Sequence, residues 1–235
     1  MRKIFLIVAL ACFATLSRAQ LGKLKLPSDL SPSNLSESDI ADGLKQALTI
    51  GSQNASQTLN KTDGFNGNPL IRIPFPPDAE KIEKKLREVG YGPKIDAFVT
   101  SLNRAAEQAA VEAASIFTNA IKQMTLTDAE GILKGSDTAA THYLRQNTYG
   151  SLYSAFQPPI KSALDNNNVD KQWTELTSIY NKIPFVKPVQ TDLIAYTNSR
   201  ALQGVFVTVA GEEQKIRTNP AAQTTDLLKK VFGNQ

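Results

Sequence analysis

The side chains best suited to chemistry are few in this 235-residue chain. His142 is the only histidine. Asp137 lies five residues before it. At 100° per residue that places the two about 140° apart round one helix, so they do not face each other. Covalent or acid–base catalysis needs a nucleophile, a base and an orienting group within reach of one another. No such set is legible, so no catalytic residue is assigned, and His142 reads as a half-exposed helical residue. The single cysteine is Cys12. There is no second histidine and no DxDxDG calcium loop, so no metal site is expected. With no GxGxxG and no Walker loop, nucleotide binding has no support, and no cofactor is expected. Paired carboxylates such as Glu212–Glu213 read as a solvated face.

One polar group stands out. Asn103 falls at the edge of an apolar helical arc, between the angular positions of Ala110 and Ala114. Glu107 follows one turn on. Arg104 projects from the opposite side but reaches Glu107 at i+3. A polar group beside an apolar stripe must find partners, because burying it unpaired costs about 1–3 kcal/mol. Either the set is a structural network tying helices together, or it is the polar mouth of an internal apolar pocket. On the second reading Asn103, Arg104, Glu107 and Tyr143 are the ligand-binding residues.

The element that must position this group runs from Lys94 to Met124, with no Gly or Pro inside it. Its apolar residues cover about half the helix circumference, wider than the ~100° stripe of a surface helix. The middle of that stripe is almost all alanine, which lets neighbours approach closely. The spacing therefore predicts a long central helix with several partners. Before it, Ser36 with Asp39 approximates a capping box for a helix running to about Lys61. Thr62–Pro69 is a turn cluster, and Leu70–Phe75 a short extended strap whose prolines forbid a central strand. A helix from Pro77 stops at Gly90.

After the long helix, Thr127 with Glu130 suggests a capping box, and Ser136 or Asp137 the cap of the next helix. A further helix from about Ser151 should be kinked or split by Pro158-Pro159. Asn166–Asn168 is a turn, Lys171–Lys182 an amphipathic helix, and Pro184 and Pro188 bracket a loop. The last long helix spans Thr191–Arg217, although Phe206–Val209 is β-prone. Thr225–Phe232 closes the chain as a short helix. The fold class is all-α: an irregular multi-helix bundle around one long central helix, with a short extended strap.

Residues 1–19 have the pattern of a secretory signal peptide. Arg2 and Lys3 precede an apolar run from Ile4 to Leu16, and Ser17-Arg18-Ala19 is a small-x-small cleavage site. The run is too short to span a membrane, which takes about 18 residues or more. Cleavage at Ala19 would leave a flexible arm, 20–35, and a single helical domain, 36–235, in a periplasmic or secreted protein. The alternative is a lipoprotein anchored through Cys12, since Ala9-Leu10-Ala11-Cys12 loosely resembles a lipobox. Arg2, Lys3 and Arg18 would leave with the leader, taking the chain from 26 basic and 22 acidic side chains to 23 and 22, net +1. That balance gives no support to nucleic acid as a partner.

The strings LNRAAE (102–107), QMT (123–125), GSDTAATHYLR (135–145) and TTDLLKKVFG (224–233) occur with the helix from Ile40 and the IRIPFP strap. In that order and spacing the chain resembles the exported bacterial proteins of domain-of-unknown-function family 4197, over about residues 36–233. The resemblance implies an all-helical envelope domain with no established activity. It also implies that the position of His142 is not normally histidine, which weakens a role for it.

Two functional readings follow. One is an exported protein that binds a lipid, another apolar or amphiphilic molecule, or a partner helix between its helices. The aromatics Tyr143, Tyr149, Tyr153, Phe156, Trp173 and Tyr180 would then line a pocket rather than fill a core. The other is a hydrolase using carboxylates such as Glu107 and Asp137, against which the missing histidine, cysteine and metal motifs weigh. A purely structural envelope role is a third. Oligomeric state is not legible.

Overall fold

A computed structural model describes residues 36–181, 191–223, 225, 229 and 231. The leader, the arm, the 184–188 loop and most of the closing 225–232 helix lie outside the described residues. What is described is all-α, without a strand among the described residues. Its buried apolar side chains form one cluster that draws on every long helix. No helix among the described residues is long and apolar enough to cross a membrane.

Helix α1, Glu37–Leu59, begins at the expected capping box. The Ser36 hydroxyl accepts from the Asp39 N–H at 3.1 Å, and the Asp39 carboxylate accepts from the Ser36 N–H at 3.0 Å. The turn cluster that follows contains Asp63 in the left-handed region, at φ 64°, a conformation that Asp tolerates better than most residues. Beyond it the chain carries no regular structure up to Pro76, and Ile71, Ile73 and Phe75 are buried while Leu70, Arg72 and Pro74 are exposed. Alternation of that kind anchors a segment on one side only. A short 3₁₀ turn, Pro77–Ala79, leads into α2, Glu80–Glu88, which ends at Gly90 with φ 89°.

The stretch read as one uninterrupted helix from Lys94 to Met124 is divided. Helix α3, Gly92–Ala109, and helix α4, Ala113–Gln123, are joined by a 3₁₀ turn at Ala110–Glu112. At that turn the Ala110 carbonyl accepts the Ala113 N–H, and also the Ser56 hydroxyl of α1 at 2.8 Å. A carbonyl tilted toward a neighbouring helix is a common cause of such a local tightening. The alanine stripe is fully buried at Ala105, Ala106, Ala109, Ala110 and Ala113. Between them α3 and α4 contact α1, α2, α6, α7 and α8.

Helix α5, Leu126–Leu133, starts one capping box earlier than expected, at Thr125 with Asp128 rather than Thr127 with Glu130. Helix α6, Ala139–Asn166, is the longest, and Pro158-Pro159 do not split it. The prolines remove the N–H partners of the Ser154 and Ala155 carbonyls. Ser154 and Pro158 are exposed and Ala155 and Pro159 only half-buried, so water can reach this side of the helix. The opposite side, Leu152, Phe156 and Ile160, stays packed in the core. Neither Ser136 nor Asp137 caps α6; Thr138 occupies that position without a side-chain bond.

Helix α7, Val169–Asn181, lays Trp173 against Phe75 and Phe98, with ring centroids 5.5 and 5.4 Å apart. Helix α8, Leu193–Thr218, absorbs the β-prone 206–209 stretch. Val205, Phe206 and Val209 fall on its buried face while Val207 faces out, so tertiary burial at helical spacing overrides local propensity. Gly204 lets the 65–71 segment press onto this helix, since a Cβ there would lie 2.5 Å from Phe65 Cε1.

Candidate functional site

The structure brings Asn103, Arg104 and Glu107 together on α3, and their partners are all supplied by this chain. The Asn103 carboxamide is fully buried. Its Oδ1 accepts the Ile73 N–H at 2.8 Å, and its Nδ2 donates to the carbonyls of Ile73 and Val99, each at 2.8 Å. One Glu107 oxygen accepts the N–H groups of Phe65 and Asn66 at 3.1 Å. The other accepts from Arg104 at 2.6 Å, and Arg104 also donates to Asp63 at 2.7 Å. A side-chain bond from the Asn66 amide, with the Arg104 guanidinium, holds the Asp63 carboxyl below the usual carboxylate range. These residues grip the irregular 63–73 segment whose backbone groups have no ladder of their own.

Tyr143 does not join them. It is half-buried on α6, where burial, with a smaller contribution from the Asp128 charge, pushes its hydroxyl pKa up. The carboxylates considered for hydrolysis are also apart in role. Glu107 is occupied as described, and Asp137 is exposed. Among the described residues no group of three His, Cys, Asp or Glu side chains is placed to hold a metal ion. Glu213 is not on a solvated face but is buried. It accepts the N–H groups of Ala140 and Thr141 at the start of α6, and Arg217 pairs with it at 2.9 Å.

The concave surface suited to a ligand lies elsewhere, between α6 and α8. A cleft of about 610 Å³ is lined by Thr138, Thr141, His142 and Arg145 on one side and Gln203, Phe206, Val207 and Ala210 on the other. Arg145 spreads its guanidinium over the rings of Phe206 and Tyr149, at 5.4 and 5.8 Å from their centroids. A second cleft of about 130 Å³ shares Gln203 and Val207 with the first. Its remaining wall is residues 70–74 with Arg200 and Gly204. The two make one track along the outer face of α8, with Val207 at the junction and Leu70 exposed at its edge. Of the aromatics expected to line a pocket, Phe156 is core and Tyr149 alone stacks on a lining residue, Phe206.

Sequence reasoning did not single out Arg72, Arg145, Arg200, Gln203, Phe206 or Val207 as a site. A signal existed on α8: residues 200, 203, 207 and 210 recur at helical spacing beside the buried stripe. Nothing local connects that stripe with Arg145 or Arg72.

No curated relative and no solved structure matches the chain. A family model described as a protein of unknown function, DUF4197, matches residues 34–233, and the chain belongs to that family.

Proposed function

We propose that this is an exported helical protein that binds an amphiphilic molecule in the groove between α6 and α8. The observation that carries the reading is the 610 Å³ cleft itself. Its volume is that of a small-molecule site, and it sets apolar Phe206, Val207 and Ala210 beside the polar side chains of Thr138, Thr141, His142, Arg145 and Gln203. Arg145, with its guanidinium over two rings, gives one wall an amphipathic surface. The ligand is assigned to this groove and not to Asn103, Arg104, Glu107 or Tyr143. The first three serve it indirectly, by fixing the segment that forms the wall of the smaller cleft.

Export rests on the leader: a basic start, a 13-residue apolar run and a small-x-small site ending at Ala19. Intact mass of the exported protein should show a chain beginning at Gln20, and a lipid-modified Cys12 would overturn that cleavage. Ligand binding is tested by native mass spectrometry of protein purified from its own envelope, and by titration with submicellar dodecyl maltoside. Binding should raise the melting temperature. Val207→Asp, at an exposed position, should abolish the shift while leaving the unliganded melting temperature unchanged. The absence of both a co-purifying amphiphile and a thermal shift would remove the reading.

A further inference from the structure

The described arginines divide into two sets. Arg87, Arg104 and Arg217 each pair with a carboxylate. Arg72, Arg145 and Arg200 make no ion pair among the described residues, and all three line the α6–α8 track. No acidic residue lines either cleft. Arg145 is laid over aromatic rings. Arg72 and Arg200 are instead held by neutral side chains: Arg72 Nε donates to the Asn66 carbonyl oxygen at 3.2 Å, and Arg200 Nη1 donates to the Gln203 carbonyl oxygen at 3.1 Å. An amide acceptor orients a guanidinium without neutralising it. Arg200 also lies 5.8 Å from the Tyr196 ring centroid, and the Tyr196 hydroxyl is fixed by the Pro74 carbonyl at 3.0 Å. After Arg200 itself, the charges that act on Tyr196 are those of Asp78 and Glu83, neither of which lines the cleft.

We infer that the amphiphile bound in this groove is anionic, with its phosphate or carboxylate head in the smaller cleft between Arg72 and Arg200 and its apolar body along Phe206, Val207 and Ala210. This rests on the groove reading above and adds the charge and the orientation of the ligand. A cleft of about 130 Å³ suits a head group, and the 610 Å³ cleft beyond Val207 suits the body. Guanidinium groups match phosphate and carboxylate oxygens through paired N–H donors. The concave track favours one dissolved molecule over a flat bilayer.

The test is calorimetric titration of the full-length protein with dodecyl phosphate and dodecyl maltoside, both below micelle formation, and with inorganic phosphate alone. Dodecyl phosphate should bind roughly tenfold or more tightly than the neutral maltoside, the gain expected of one charged hydrogen-bonded contact. Added salt should weaken the phosphate ligand selectively. Arg72→Gln with Arg200→Gln should erase the preference by weakening dodecyl phosphate at least roughly tenfold more than dodecyl maltoside. Equal binding of the two amphiphiles, unmoved by these variants, would overturn the anion clamp and leave the groove reading intact. Failure of both amphiphiles to bind would remove the groove reading itself. Inorganic phosphate binding as tightly as dodecyl phosphate, or binding only to anionic vesicles, would also overturn the inference. A preference lost in Arg145→Gln but kept in the Arg72/Arg200 variant would put the head group at the wrong end.

Discussion

Glu213 and Thr141 are joined twice: one carboxylate oxygen of Glu213 accepts both the Thr141 N–H, at 2.8 Å, and the Thr141 hydroxyl, at 2.7 Å. The other oxygen accepts the Ala140 N–H at 3.0 Å. A residue near the end of α8 thus caps the start of α6, a helix with no side-chain cap of its own. The remaining early N–H groups are met locally, Ala139 by the Ser136 carbonyl and His142 by that of Thr138. Arg217 neutralises Glu213 and donates to the Ile132 carbonyl at 3.1 Å, tying α5 into the same knot.

Glu213→Ala should therefore destabilise the protein by about 3–5 kcal/mol, the usual penalty for stranding one member of a buried ion pair. It also orphans two buried N–H groups. Glu213→Gln keeps one acceptor oxygen and should lose less. Urea denaturation of the two variants checks the order. Equal loss would show that Glu213 acts through its charge alone.

Asn103 makes a comparable demand on the strap. Asn103→Leu has nearly the same volume but leaves the Ile73 N–H and carbonyl without partners in a fully buried place. The expected loss is about 1–3 kcal/mol for each orphaned group. Hydrogen exchange at the Ile73 amide should accelerate beyond what the global change in stability explains. Unchanged protection would mean that packing of Ile73, not the carboxamide, holds the segment.

Two glycines of α8 should respond with opposite signs. At Gly204 an added methyl meets the ring of Phe65, itself fully buried and unable to swing away. Gly204→Ala should destabilise by about 1–3 kcal/mol through overpacking. At Gly211 nothing lies within 4 Å, and Gly211→Ala should stabilise by up to about 1 kcal/mol through helix propensity. Melting temperatures moving the same way would show the 65–71 segment to be less tightly seated than described.

Asp63 gives the 63–73 segment a pH dependence. Its carboxyl is held below its ordinary value by the Asn66 amide and by Arg104. The depressed folded value means that the contribution is present above the unfolded pKa, about 3.9, and is lost as pH falls through the folded value. The stability difference between the wild type and Asp63→Asn should be flat at neutral pH and shrink below about pH 4. A difference constant into the acid range would separate Asp63 from this effect.

The helical class, most helix positions and the Ser36 cap are legible from residue order, because periodicity and capping are written within one or two turns of chain. Residue order also brought Asn103, Arg104 and Glu107 together, for the same reason: they share one helix at i, i+1 and i+4. Local rules were too coarse at Pro158-Pro159, where packing of Leu152, Phe156 and Ile160 carries α6 through. At Phe206–Val209 local propensity left strand and helix open within the expected helix, and burial at helical spacing decides for helix. Glu213 has one partner within reach of local rules, Arg217 at i+4, but the N–H groups it caps lie 72 and 73 residues away, so only the packing of α8 against α6 reveals its role. The same holds for the groove. Arg72, Arg145 and Arg200 stand on three separate segments, and only the packing of α6 and the 70–74 strap against α8 sets them along one track. Periodicity says which face of a helix is buried; it carries no information about which distant side chain meets it.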